Sequence, residues 1–295
     1  MRAATPMIVM FGERMQATAE GLSPSAAKPA QAVAAWRRAG LPMRVIEPTP
    51  APLSALERAH DRTYVEDVLA RRRANGFGSL DESVAASLPY TSGAMLDGAR
   101  VAVREGVAVC APVSGFHHAR WAHGGGFCTF NGLMVTALAL RAEGLVRKVA
   151  ILDCDHHFGD GTVDILSRLG DPPWVRHFTA GAEFDRPAQV SAFFARLGEE
   201  LRALADFDLV LYQAGADPHV KDPLGGWLTT EQLRARDAQV FESLASARIP
   251  LVWNLAGGYQ RDRSGGIGPV LAIHENTARE HLRVFCAAPG QIPTS

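Results

Sequence analysis

Apolar residues along this chain fall into two kinds of run. Seven are short and mostly continuous, at 7–11, 43–46, 107–110, 148–152, 174–178, 208–213 and 250–255, and they end in polar, glycine or aspartate clusters. Continuous rather than alternating hydrophobicity marks strands buried on both faces of a parallel sheet. Between them lie stretches with the apolar period of helices, at 26–39, 63–73, 91–104, 131–142, 189–205, 230–245 and 268–284. Thr229-Thr230-Glu231-Gln232 supplies a capped helix start. Strand and helix in alternation predict an α/β fold, a doubly wound, mostly parallel sheet with helices on both faces. No internal repeat interrupts the pattern, and the proline-rich 47–52 reads as a loop, so 1–295 is expected to form a single domain.

Composition narrows the function. Hydrophobic residues make up 47% of the 295, enough for a packed core. Thirty Lys and Arg balance 31 Asp and Glu, so the basic excess of a nucleic-acid partner is missing. The four cysteines, Cys110, Cys128, Cys154 and Cys286, form no Cys-x-x-Cys pair, which argues against a zinc ribbon, a redox dithiol or a disulfide scaffold. Residues 1–10 lack the signature of a cleavable leader. No run approaches the ~20 apolar residues of a membrane span. A cytoplasmic protein with no membrane partner is expected. No heptad points to an oligomer.

In doubly wound folds the ligand site lies beyond the carboxyl ends of the strands. Four of the predicted strands run into chemically similar loops. The third leads into Ser114-Gly115-Phe116-His117-His118, and the fourth into Asp153-Cys154-Asp155-His156-His157-Phe158-Gly159-Asp160-Gly161. The sixth leads into Ala214-Gly215-Ala216-Asp217, and the seventh into Ala256-Gly257-Gly258-Tyr259. Asp155 and His157, two apart on extended backbone, point to one side and can share an ion. Asp217 can supply a third ligand. Three ligands with an open position describe a catalytic metal, since structural zinc is usually closed by four. Two carboxylates and an imidazole suit zinc, with Fe(II) as the alternative. The competing reading makes Asp155 and His157 mere caps of the next helix.

His117 and His118 beside such a metal suit a general base and an electrostatic partner. Each imidazole needs its second nitrogen held, and Asp153 and Asp160 flank the metal motif. Tyr259, after a glycine pair, can donate its phenolic hydrogen to an oxyanion. Gly124-Gly125-Gly126 lacks the ending of a phosphate loop and instead sets Phe127 near the substrate. Cys128 and Cys154 read as packed side chains.

These motifs resemble those of the histone deacetylase superfamily, which includes acetoin-utilisation proteins and acetylpolyamine amidohydrolases and shares its fold with arginase. The matching segments are Gly115-Phe116-His117-His118-Ala119, Gly126-Phe127-Cys128 with Phe130-Asn131, and Asp155-x-His157-x-Gly159-Asp160-Gly161-Thr162 preceded by Asp153. Ala214-Gly215-x-Asp217 with Asp222-Pro223-Leu224-Gly225, and Gly257-Gly258-Tyr259, complete the set. His60-Asp61-x-x-Tyr64-Val65 resembles an earlier family motif, and the short motif forms look like the class IV branch and its bacterial relatives.

The resemblance implies metal-dependent hydrolysis of an acyl amide. Asp155, His157 and Asp217 would hold the catalytic Zn2+ (or Fe2+). His117 and His118 would be the base/acid pair, oriented by Asp153 and Asp160 respectively, and Tyr259 would polarise the acyl carbonyl. Phe127, Leu224, Gly126 and Gly258 would line the substrate channel. A K+ ion would sit on Asp153, Asp155, His157 and Thr179, where threonine replaces the more usual serine. The implied substrate is an acylated amine, either a peptide lysine or a small molecule.

Two departures stand out. His156 replaces a usually apolar residue and Phe158 a usual histidine. The segment 180–207 is short, which predicts a differently walled mouth. Two rival readings remain. An arginase-like ureohydrolase needs a second carboxylate cluster, yet Asp217 is followed by Pro218-His219. A non-catalytic binder of acylated amines would keep the pocket without turnover.

Overall fold

The computed structural model describes residues 5–18 and 23–286. The first four residues of the segment read for a leader lie outside it. Seven strands, β1 (Met7–Met10), β2 (Met43–Ile46), β3 (Ala108–Cys110), β4 (Val149–Asp153), β5 (Val175–Thr179), β6 (Leu209–Gln213) and β7 (Leu251–Asn254), form one sheet in the order β2-β1-β3-β7-β6-β4-β5. Every pairing is parallel. The five inner strands are buried along their length, while the edge strands β2 and β5 retain partly exposed positions. Each strand lies within about a residue of its predicted end, because burial on both faces forces the unbroken apolar runs.

The helices are α1 (Lys28–Arg38), α2 (Leu53–Ala59), α3 (Arg62–Leu69), α4 (Glu82–Glu105), α5 (Gly132–Ala142), α6 (Asp160–Arg168), α7 (Val190–Arg202), α8 (Thr230–Ala247) and α9 (Gly268–His281). Right-handed crossovers assign them to faces. The chain steps one way along the sheet from β1 to β2, β5 to β6 and β6 to β7, and the other way from β2 to β3, β3 to β4 and β4 to β5. Accordingly α1, α7, α8 and α9 pack in one layer and α2 to α6 in the other. Where neighbouring strands send their chains to opposite faces a crevice opens. The β6/β4 and β3/β7 boundaries are two such places.

Four helices differ from expectation. The helix predicted at 91–104 begins at Glu82, because Pro89 masks the continuity of the periodic pattern; Asp81 caps it by accepting from the Val84 amide at 3.0 Å. The helix predicted at 63–73 stops at Leu69. Neither α2 nor α6 is anticipated by the periodicity: seven and nine residues are too short to display a period, and α6 opens on Asp-Gly-Thr.

The layers lock through aromatic rings on β7. Trp253 lies 5.9 Å from Trp36 of α1 and 6.2 Å from Phe241 of α8, centroid to centroid. Its indole N–H donates to His281 Nδ1 at 2.8 Å. Among the described residues no helix is long and apolar enough to cross a membrane.

His60, His274 and His281 are buried as neutral imidazoles. Burial pushes His60 down to about 4 and His281 to about 3, and holds His274 well below the ordinary 6.5. Released into an unfolded chain they would titrate at 6.5, so between that value and the folded values the unfolded state binds more protons. The contribution of these three rings to stability is therefore complete above 6.5 and is lost as pH drops through that window. Imidazole proton resonances should show these three rings still uncharged at about pH 5, and a ring that protonates near its ordinary value would contradict neutral burial.

Candidate active site

The fourth strand ends at Asp153, and residues 154–159 leave it as a bend rather than as continued strand. Asp155 and His157 thus converge by a turn, not by the two-residue repeat of an extended chain. The turn is an Asx type, in which the His157 amide donates to Asp155 Oδ1 at 3.0 Å. Neither residue caps α6, whose N-cap is Gly159. Across the β6/β4 boundary, Asp217 follows β6 and its Oδ1 accepts from the His156 amide at 3.1 Å.

Asp155, His157 and Asp217 offer ligand atoms that all lie within 4.8 Å of one another. His157 Nδ1 is 3.3 Å from Asp155 Oδ1 and 3.0 Å from Asp217 Oδ2. Both carboxylates are buried. The Gly257 amide donates to Asp155 Oδ2 at 2.8 Å. A methyl group at Gly257 would collide with the Asp217 carboxylate, so glycine is required for the close approach.

The charges respond to this crowding. Burial, then the charge of Asp155, pushes Asp217 up to about 7. Burial opposes charge on Asp155, but His117 and His157 outweigh it and hold it well below the usual carboxylate range. Hydrogen bonds to Asp155 and Asp217 raise His157 to about 10 against the opposing effect of burial. Asp217 and His157 thus both hold protons more tightly than free groups do beside an ionised Asp155, and such a site draws positive charge. The donor set and the glycine cradle therefore fit one divalent cation. It is the one group of three or more such ligands among the described residues.

The β3 loop brings its histidines to the same place. His117 Nδ1 lies 2.7 Å from Asp153 Oδ2, and His118 Nδ1 lies 2.6 Å from Asp160 Oδ1. The two imidazoles stand 4.1 Å apart, centroid to centroid, and His117 Nε2 is 3.6 Å from Asp155 Oδ1. Their protonation separates. Burial opposes charge on His117, yet Asp153 and Asp155 raise it to about 9. Burial and the neighbouring His117 charge lower His118 despite Asp160.

Tyr259 reaches the site from β7, with Gly258 at φ 142° turning the chain. Its ring lies 5.9 Å from Phe127 and 6.4 Å, edge-on, from His157. Burial, then Asp217 and Asp155, raises the phenol, so it stays a donor. Phe127, Tyr259, Pro223, Leu224 and Lys221 line a cleft of about 620 Å³, which meets the site at Tyr259. Gly126 lies against the His118 ring. Thr179 pairs in register with Asp153, and its hydroxyl accepts from the Gly159 amide at 3.1 Å, which sets it against the metal loop.

Three strained backbones and a buried lysine carried no readable signal. Phe116, Phe127 and Ala256 all hold positive φ, at 113°, 64° and 52°, a strain on the order of 1–3 kcal/mol apiece that the packed site must sustain. Lys28 of α1 is buried and donates to the Ala256 carbonyl at 2.7 Å. Burial pushes it down to about 8, against the raising effect of Asp217, Asp155 and Asp222. His60 donates from Nδ1 to the Arg120 carbonyl at 2.9 Å and accepts at Nε2 from the Asn131 amide at 2.8 Å. The Tyr64 hydroxyl donates to the Thr129 carbonyl at 2.7 Å. The His60–Tyr64 motif is thus a clamp on the 117–131 loop. Cys128 and Cys154 are buried, as expected. His156 packs edge-on at 5.1 Å from His157, beneath Gly225, and Phe158 is exposed. His219, where a second metal would need a ligand, is engaged with Thr230 at 3.0 Å and Gln260 at 2.7 Å.

A parallel doubly wound sheet with aspartates, histidines and a tyrosine gathered at its carboxyl end defines a class of hydrolase-like α/β proteins. The histone deacetylase domain model matches residues 13–175, and the chain belongs to that family. It is 30% identical to an uncharacterized protein of Picosynechococcus sp. over 75% of this chain and 80% of that one. It is 40% identical to acetylpolyamine amidohydrolase 1 of Pseudomonas aeruginosa over 61% of this chain, spanning 58% of that protein's length. The structure overlays on the HD domain of HDA15 with a TM-score of 0.76 at 21% identity, covering 96% of this chain and 92% of that one.

Gly257→Ala should leave the fold intact but displace the Asp217 carboxylate. The expected result is a native circular dichroism spectrum with bound divalent metal well below one per chain, and full metal content in that variant would contradict the cradle.

Proposed function

We propose that this protein hydrolyses the amide of an acylated amine to a free amine and a carboxylate. The observation that carries the reading is the convergence of Asp155, His157 and Asp217 with two carboxylate-held histidines and a phenol that lines a cleft. The relatives named acetylpolyamine amidohydrolase and polyamine deacetylase support an acylated amine as substrate. A peptide lysine or a small molecule both fit that description.

Asp155, His157 and Asp217 would hold the cation, Zn2+ in this reading with Fe2+ as the alternative. When bound, it supplies a Lewis acid and lowers the pKa of water at neutral pH. Phe127, Gly126, Leu224 and Gly258 would flank the alkyl stem, with Phe127 and Leu224 giving the cleft apolar walls. Tyr259 would donate its phenolic hydrogen to the acyl oxygen as negative charge develops there. His118, lowered by burial and by His117, is suited to accept the proton of the attacking water. His117, held charged by Asp153, is suited to stabilise the oxyanion and to share delivery of a proton to the departing nitrogen. Asp160 and Asp153 would keep each ring's reactive Nε2 free by binding Nδ1. The water oxygen bonds to the acyl carbon, the C–N bond breaks, and the nitrogen leaves protonated. A K+ ion on Asp153, Asp155, His157 and Thr179 would rigidify the metal loop.

Two rivals are less supported. A second metal finds no ligand group among the described residues, since His219 is committed elsewhere. A passive binder would not need two separately oriented histidines.

Assaying an acetyl-lysine peptide and an acetylated polyamine with and without a chelator tests the proposal. Chelation should abolish turnover, and zinc should restore it. Tyr259→Phe should lower kcat by about a hundred- to a thousandfold. Turnover indifferent to chelation, or to the loss of the phenol, would sink the reading.

A further inference from the structure

Resting on the proposed function, we infer that Asp222 is a positioning residue whose carboxylate sets the Tyr259 phenol against the opposite wall of the cleft. Asp222 is buried, and its two oxygens serve two different segments. Oδ1 accepts from the Leu224 amide at 3.1 Å, a local Asx turn of the usual kind. Oδ2 accepts from the Tyr259 amide at 2.8 Å, across 37 residues of sequence. One carboxylate thus ties the loop after β6 to the loop after β7. The two residues it holds, Leu224 and Tyr259, both line the cleft, while Asp222 itself does not.

Three further anchors of the β7 loop act earlier in the chain, and beyond Tyr259 the Gln260 side chain meets His219 Nδ1 at 2.7 Å. Lys28 holds the Ala256 carbonyl, Asp155 holds the Gly257 amide, and the Ala216 amide donates to the Gly257 carbonyl at 2.9 Å. Gly258 then follows at φ 142°, a conformation that leaves the next residue's direction poorly fixed by its own backbone. The Asp222 bond is the contact that reaches the main chain of Tyr259 itself. A small shift at that amide is amplified at the far end of a long side chain, where a displacement of about 1 Å costs up to about a hundredfold in rate.

Asp222→Asn keeps the shape and one acceptor but turns an amide NH2 toward one of the two N–H groups. With the same acetyl-amine assay, kcat should fall by about ten- to a hundredfold, with KM nearly unchanged and bound divalent metal equal to wild type. Asp222→Asn placed on Tyr259→Phe should add little further loss, because the residue acts through the phenol. Wild-type kcat in Asp222→Asn beside a crippled Tyr259→Phe would overturn this inference alone. So would full additivity of the two, or metal lost in step with activity, or disappearance of a cooperative thermal transition. An unaffected Tyr259→Phe would instead overturn the proposed role of the phenol on which the inference stands.

Discussion

Two carboxylates held side by side away from water are the constraint around which the carboxyl end of this sheet is organised. Asp155 and Asp217 repel one another in a medium that screens poorly, and neither can be left there without compensation. The protein supplies it in layers. Backbone amides of His157, Gly257 and His156 point at their oxygens, the His157 imidazole lies between them, and His117 stands beside Asp155. The proton affinity that remains is what a divalent cation would replace. The glycines at 215 and 257 leave room for the carboxylates where any side chain would intrude.

The topology explains why these groups meet. The pair Asp155 and His157 comes from β4 and Asp217 from β6, strands that are neighbours in the sheet and whose chains depart to opposite faces. The histidine loop of β3 and the tyrosine loop of β7 flank the other such boundary. Because β6 and β7 are themselves adjacent, the two crevices merge into one cleft. In the proposed reaction each loop would contribute a different chemistry: charge from β4 and β6, proton transfer from β3, and a hydrogen-bond donor from β7.

Much of this was legible in the chain. The strands announce themselves because a sheet covered on both sides tolerates few polar residues, and the site residues because they cluster directly after those strands. The features that stayed hidden depend on three-dimensional closure. Lys28 sits in a helix whose pattern gives no hint that its ammonium reaches the Ala256 carbonyl. The positive φ of Phe116, Phe127 and Ala256 cannot be read from residue types that normally avoid it. Asp222 is visible as part of a motif, but its bond to Tyr259 is not. The extended-strand argument for Asp155 and His157 expected the pleat to bring the two together, whereas an Asx turn does so. Pro89 concealed the first part of α4 because proline inside a helix is costly in general and tolerated here, where its carbonyl accepts from the Ala51 amide at 2.8 Å.

The strand order also bears on how the molecule is made. β7, the seventh strand to be synthesised, occupies the middle of the sheet between β3 and β6. Until residues 251–254 emerge from the ribosome, a nascent chain holds two partial sheets, each with an open inner edge of unpaired peptide groups. Such edges invite mispairing with neighbouring chains. The tyrosine loop arrives with that same strand, so sealing the sheet and completing the constellation are one late event. Half-made chains would therefore carry exposed strand edges and lack the Tyr259 loop altogether.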